Sequence, residues 1–150
     1  MTDDAKPVHV LNGPNLNRLG TREPAIYGRT TLAEIEAMVR RAAGDVPVEF
    51  RQTNAEAELV GFVQEAIGRA RGIIINPAGL SFTSVPLLDA LRMFDGPIVE
   101  VHLSNIHARP PPHRDSLVSA VATGVVAGFG PQGYLLALAW LTGIARPAAG

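Results

Sequence analysis

The stretch GIIINPAG (72–79) is apolar over three consecutive β-branched residues and then stops on an amide, a proline and a glycine. A strand with one face in water alternates apolar and polar side chains, whereas a strand covered on both faces reads as a continuous apolar run. The run is too short for a helix and ends on turn-forming residues, so it reads as a strand buried inside a parallel sheet. Working outward, VHVL (8–11), VEF (48–50), IVEVH (98–102) and GVVAG (124–128) have the same character. Five short strands are therefore predicted.

The segments between them have helical period. TLAEIEAMVRRAAG (31–44) opens with Thr31 and Glu34 in capping-box spacing, places Ile35, Met38, Val39 and Ala42 on one face, and stops at Gly44. A second helix is expected over 55–70 behind an Asn54 cap, with Leu59, Phe62, Val63, Ala66 and Ile67 on its stripe. A third covers 85–93, capped by Thr83 or Ser84. The last, 132–144, is apolar nearly all round, which suits burial against a sheet or a neighbouring subunit. Strand and helix alternate, so the expected architecture is α/β: a doubly wound, five-stranded parallel sheet in a three-layer α/β/α arrangement. Ligands of such sheets bind beyond the carboxyl ends of the strands, where the strand order reverses.

The totals fit one domain. The chain has 150 residues, 47% of them hydrophobic, with 13 basic residues against 14 acidic and no cysteine. That excludes disulfides, thiolate zinc sites and thiol catalysis, and the charge balance argues against a nucleic-acid surface. No apolar run is long enough to span a bilayer, and the opening MTDDAKP is too polar for a signal peptide, so a cytoplasmic location is expected, with no membrane association.

The strand ends carry Asn12 and Asn15, then Gln52, Thr53 and Asn54, then Asn76, then His102, Ser104 and Asn105. Any single Asn is explained by turn preference. A whole rim of neutral donors and acceptors suits a polyhydroxylated small molecule better than a nucleotide. GFGPQG (128–133) does match the dinucleotide pattern G-x-G-x-x-G, but no βαβ unit or ribose-binding acid follows it and Pro131 removes an amide donor. It reads instead as a tight turn with close helix–strand packing.

Two places carry chemistry. In EVHLSN, Glu100 and His102 are two apart on a strand and share a face, so the carboxylate can orient or charge the imidazole. Arg109 and Arg114 follow, flanking PPP. A metal held by His102, His107 and His113 is the competing idea, but no pair of them has ligand spacing with a carboxylate. The loop NGPNLNRLGTREPAIYG (12–28) is rich in Gly, Pro and Asn, which predicts a mobile flap with no packed core of its own. Its reactive groups are Arg22 and Tyr27. Use of a tyrosine as a base near neutrality requires roughly 3 to 4 kcal/mol of preferential phenolate stabilisation, which a nearby guanidinium in a dry site can supply.

Taken together, LNGPNLNRLGTREPAIYG, FRQTNAEAELV, IIINPAG, VEVHLSNIHAR and ATGVVAGFGPQGYLLAL closely resemble type II 3-dehydroquinate dehydratases over nearly the whole chain, about 8–141. The resemblance implies a flavodoxin-like sheet, an enzyme without cofactor or metal, and a homododecamer built as a tetramer of trimers. It implies trans elimination of water from 3-dehydroquinate through an enolate. Tyr27 then matches the base, Arg22 its activator, Asn15 the residue holding a water at the enolate oxygen, and His102 the acid, with Glu100 behind it. The resemblance also implies that the substrate carboxylate lies on the amides of Leu103 and Ser104 near Asn76, that Arg109 binds ring hydroxyls or polarises the flap, and that Asp89 reaches a neighbouring subunit's site.

Departures from the family pattern are Phe82 in place of a His, Leu88 in place of an Arg, His113 where a ring-contacting Arg is expected, and loss of a Tyr after Ser116. All are expected on the side of the pocket that reads hydroxyls, with the elimination machinery kept. A lost hydrogen bond to a substrate hydroxyl can cost a hundredfold or so in kcat/KM. Three readings follow: a dehydroquinate dehydratase, a dehydratase of a related ring such as 5-amino-5-deoxy-3-dehydroquinate, or a catalytically weak paralogue that binds quinate-like ligands.

Overall fold

The structure is a computed structural model that describes residues 3–143. Five parallel strands, β1 (Val8–Asn12), β2 (Val48–Gln52), β3 (Gly72–Asn76), β4 (Ile98–His102) and β5 (Gly124–Ala127), form one sheet in the order β2-β1-β3-β4-β5. This is the flavodoxin-like order, whose reversal lies between β1 and β3. Every residue of β1, β3 and β4 is buried, including the polar His9, Asn12, Asn76, Glu100 and His102. The edge strands β2 and β5 are half-covered.

Strand parity divides the core into two layers. Val8, Val10, Ile74, Val99 and Val101 face α2 (Leu32–Ala43) and α5 (Gln132–Leu141), while Leu11, Ile73, Ile75 and Ile98 face α3 (Glu56–Ala66) and α4 (Val85–Arg92). Glu100 and His102 have the parity of Ile98, so both side chains point to the α3/α4 face.

Local chemistry explains most helix limits. Thr31 caps α2 in a complete capping box with Glu34. Ile35, Val39 and Ala43 form its buried stripe, whereas Ala42, expected on that face, is exposed; the four-residue step from Val39 lands on Ala43. Ser84 is the cap of α4, its hydroxyl accepting from the Leu87 amide at 3.0 Å. Asn54 does not cap α3, which starts after Ala55 and ends at Ala66, short of the expected 55–70. Its carboxamide oxygen is engaged elsewhere, accepting from the Asn15 amide at 2.9 Å and from Gln52 at 3.1 Å. The described part of the last helix ends at Leu141, and Ile144 lies outside the described residues.

The GFGPQG turn is a packing device. Gly128 and Gly130 have φ of 93° and 56°, and their amides donate to the His102 and Leu103 carbonyls. A Cβ on Gly133 would lie 3.2 Å from Val101 Cγ1 and 3.4 Å from Val126 Cγ1, a tight approach that a larger residue makes only if those valine methyls give way. Among the described residues no helix is long and apolar enough to cross a membrane.

Candidate active site

The loop after β1 holds more structure than its composition suggests. Leu16 and Leu19 are 3% and 4% exposed and join the α2/α5 core layer, and the loop contains a four-residue helix, α1 (Pro24–Tyr27). The flap, expected to have no packed core of its own, is fastened to the main core instead: two leucines three residues apart fix its first half, leaving Arg22 and Tyr27 beyond the anchor. Among the described residues the non-glycine positions of positive φ are Asn15 (72°) and Glu23 (38°) in this loop and Ala78 (53°) just after β3, as strained backbone is found where side chains must be aimed.

A cavity of about 140 Å³ opens beyond the carboxyl ends of β1, β3 and β4, beside the reversal of strand order. Of the residues expected at the site, Asn15, Arg22, Tyr27, Asn76, His102, Leu103, Ser104, Arg109 and His113 all line it. Glu100 sits behind His102 with no solvent exposure. Asp89 is exposed on α4 and does not line the cavity. Of the departures, Phe82 and His113 border the cavity while Leu88 and Leu117, the residue after Ser116, do not, so only two of the four lie where a ligand is read.

Tyr27 is gripped by two guanidinium groups. Arg22 lies 4.6 Å from the ring centroid, and Arg109 lies 5.6 Å from it while donating to the phenol oxygen at 3.1 Å. The direct partner of that oxygen thus comes from the loop after β4 rather than from the flap. On the opposing strand end, His102 Nε2 is hydrogen-bonded to the Glu100 carboxylate. Burial pushes the Glu100 carboxyl up, but hydrogen bonds from His102, Ser116 and Ser119 outweigh it and hold the carboxyl below its ordinary value. An ionised Glu100 can only accept, so His102 Nε2 carries the proton and Nδ1 is the ring nitrogen left for proton transfer. Phe82 stacks on His102 with centroids 6.3 Å apart and meets His113 edge-on at 5.8 Å, making one aromatic wall.

Beneath the rim lies a network that sequence reading missed. The buried Tyr134 hydroxyl donates to Asn12 Oδ1 at 2.6 Å and accepts from Asn76 Nδ2 at 3.1 Å, and Asn76 Oδ1 accepts from the Ala78 amide at 3.2 Å. With its oxygen and one N–H committed, the cavity-lining Asn76 keeps one N–H for a ligand oxygen. The available signal was a lone Tyr in an otherwise aliphatic helix start, GYLLAL. The cavity's charged side chains, Arg22 and Arg109, are both cationic, and no carboxylate lines it. Such a site takes an anion. Among the described residues no group of three or more His, Asp or Glu side chains is arranged around a metal position.

The family model described as Dehydroquinase class II matches residues 6–142. A 3-dehydroquinate dehydratase of Brucella canis is 54% identical over 143 residues, covering 94% of this chain and 91% of that protein. The crystal structure of a type II dehydroquinase from Propionibacterium acnes superposes with a TM-score of 0.88 at 44% identity, covering 91% of this chain and 96% of that one. A 3-dehydroquinate dehydratase-like protein from Bifidobacterium longum superposes at 0.71 with 31% identity, covering 95% and 99%. With its strand order, its strand-end cavity and a match spanning nearly its whole described length, the chain belongs to the class II dehydroquinase family.

Proposed function

We propose that the protein dehydrates 3-dehydroquinate to 3-dehydroshikimate, as a cofactor-free hydro-lyase. The observation that carries this reading is one cavity holding two opposed proton-transfer groups: a phenol between two guanidiniums and an imidazole backed by a buried carboxylate. The substrate carboxylate takes the end of the site formed by Leu103 and Ser104, with the Asn76 N–H beside it. Tyr27, as phenolate, removes the C2 proton, and the electron pair passes into the C3 carbonyl to give an enolate. The guanidiniums of Arg22 and Arg109 favour the phenolate by charge. Asn15 positions a water at the enolate oxygen, where charge develops. Collapse of the enolate expels the C1 hydroxyl, which leaves as water with the proton from His102 Nδ1, while Glu100 holds the imidazolium in place. Return of the proton from Tyr27 to His102 through solvent resets the site.

Purified protein given 3-dehydroquinate is expected to generate the near-ultraviolet absorbance of a conjugated enone; no change at millimolar substrate and high enzyme concentration overturns the proposal. The 5-amino analogue, run beside it, is expected to be the poorer substrate.

The assembly and location form part of the same proposal: a single-domain, cytoplasmic subunit of a dodecamer arranged as a tetramer of trimers. Exposed Asp89 is free to reach a neighbour's cavity, and Val125, Phe129 and Leu136, exposed by 41%, 64% and 49%, offer apolar surface to one. Light scattering is expected to give twelve times the subunit mass, and a monomer overturns this part alone.

A further inference from the structure

Glu100 is a buried anion with three donors. His102 Nε2 and Ser116 Oγ share Oε2, the serine at 2.6 Å, and Ser119 Oγ takes Oε1 at 2.6 Å. Neither serine lines the cavity, so neither touches substrate. Both come from the segment that follows the Arg109 loop, sixteen and nineteen residues along the chain from Glu100. Ser119 lies in a single 3-10 turn, Val118–Ala120, whose Val118 is packed in the α3/α4 core layer. The turn is therefore anchored independently of the carboxylate, and its hydroxyl is delivered to a fixed point.

A carboxylate has a limited charge to share among donors. Each serine hydroxyl that accepts part of it weakens the pull of Glu100 on the imidazolium, and a less tightly held proton leaves more readily. We propose that Ser116 and Ser119 are positioning residues of the elimination, dividing the Glu100 charge so that His102 is held in one orientation yet releases its proton to the leaving hydroxyl. This rests on the reading of His102 as the acid. The groups that face the pair are His102 on the same strand, the two serine hydroxyls, the Phe82 ring against His102, and around the cavity Arg22, Tyr27, Arg109 and His113. None of the others changes when a serine is replaced.

The test compares Ser116→Ala, Ser119→Ala and the two Thr variants with the parent by kcat and KM from pH 5 to pH 10. Loss of one hydroxyl concentrates the carboxylate charge on His102. Each alanine variant is then expected to move the alkaline limb of kcat upward by about half to one pH unit. Its kcat near neutrality falls about tenfold, with KM within about twofold, while the Thr variants keep the parent limb. Limbs that stay in place while kcat falls uniformly, a change in KM alone, or Thr variants that behave as Ala all overturn the proposal and make the serines mere loop fasteners. The His102 imidazole proton followed by NMR against pH gives a readout that needs no turnover: its midpoint is expected to rise in the alanine variants, and an unmoved midpoint overturns the positioning role even if the dehydratase reading itself has failed. Where an alanine variant does not fold, Ser→Cys, a weaker donor of similar size, is expected to give a displacement of the same sign.

Discussion

A phenol with no solvent exposure, such as that of Tyr134, must keep its hydroxyl paired, and burial pushes its ionisation well above the ordinary range even though Asn76 donates to it. Tyr134→Phe keeps the ring and leaves Asn12 Oδ1 and one Asn76 N–H without a partner. The expected cost is about 1 to 3 kcal/mol by urea denaturation, with KM raised because Asn76 loses its fixed orientation. At Tyr27 the expectation is different in kind: Tyr27→Phe removes turnover while product binding, followed by calorimetry, changes little. Residual activity above about a tenth of the parent value would show that another group takes the proton. Both tyrosines were visible in the sequence, but only one had neighbours that gave its role away. Arg22 lies five positions before Tyr27, whereas Arg109, which holds the phenol oxygen, is 82 positions distant. Phe82 likewise read as a lost hydrogen bonder, and its stacking on His102 shows it also builds the wall behind the imidazole.

At the level of elements, helix starts were the most legible feature because their chemistry is local. The Thr31–Glu34 capping box is one, and Thr31→Ala is expected to lower stability by about 1 kcal/mol with kcat within about twofold, since no residue of α2 lines the cavity. Asn54 shows where local reasoning fails: its spacing suits a cap, but its oxygen bonds the Asn15 amide and so ties the flap to the end of β2. The flap's attachment to β3 is tighter. The Gly13 amide donates to the Asn76 carbonyl at 2.9 Å, and a Cβ at Gly13 would come within 2.3 Å of the Pro77 oxygen, which is backbone and cannot step aside. Gly13→Ala is therefore expected to cost about 3 kcal/mol and to displace Asn15 from the cavity, with urea midpoint and activity falling together. Normal stability in that variant would mean the loop is not braced by Pro77.

For the whole molecule, two buried groups couple folding to acidity. Burial leads in holding His9 below its ordinary value of 6.5, with Glu49 and Glu65 opposing and Arg51 and Arg69 assisting. Unfolded chains bind this proton first, so stability falls as pH drops below about 6.5 towards the folded value. Glu100, held below its ordinary 4.5, adds a second loss as pH falls through and beneath that value. Melting temperatures are expected to be level above pH 7 and to decline in two stages, and His9→Gln removes the first. Strand positions, the caps of α2 and α4 and the identity of the polar strand ends came from the chain alone, because periodicity, capping and turn preference act over a few residues. The residues that match a known family extended this to a fold and a chemistry. Which strand lies beside which, the anchoring of Leu16 and Leu19, the clamp of Ser116 and Ser119 on Glu100, and the Asn12–Tyr134–Asn76 network belong to the folded state. Each joins groups distant in sequence through a buried hydrogen bond or packed surface, and such a contact leaves no local period in the chain that forms it.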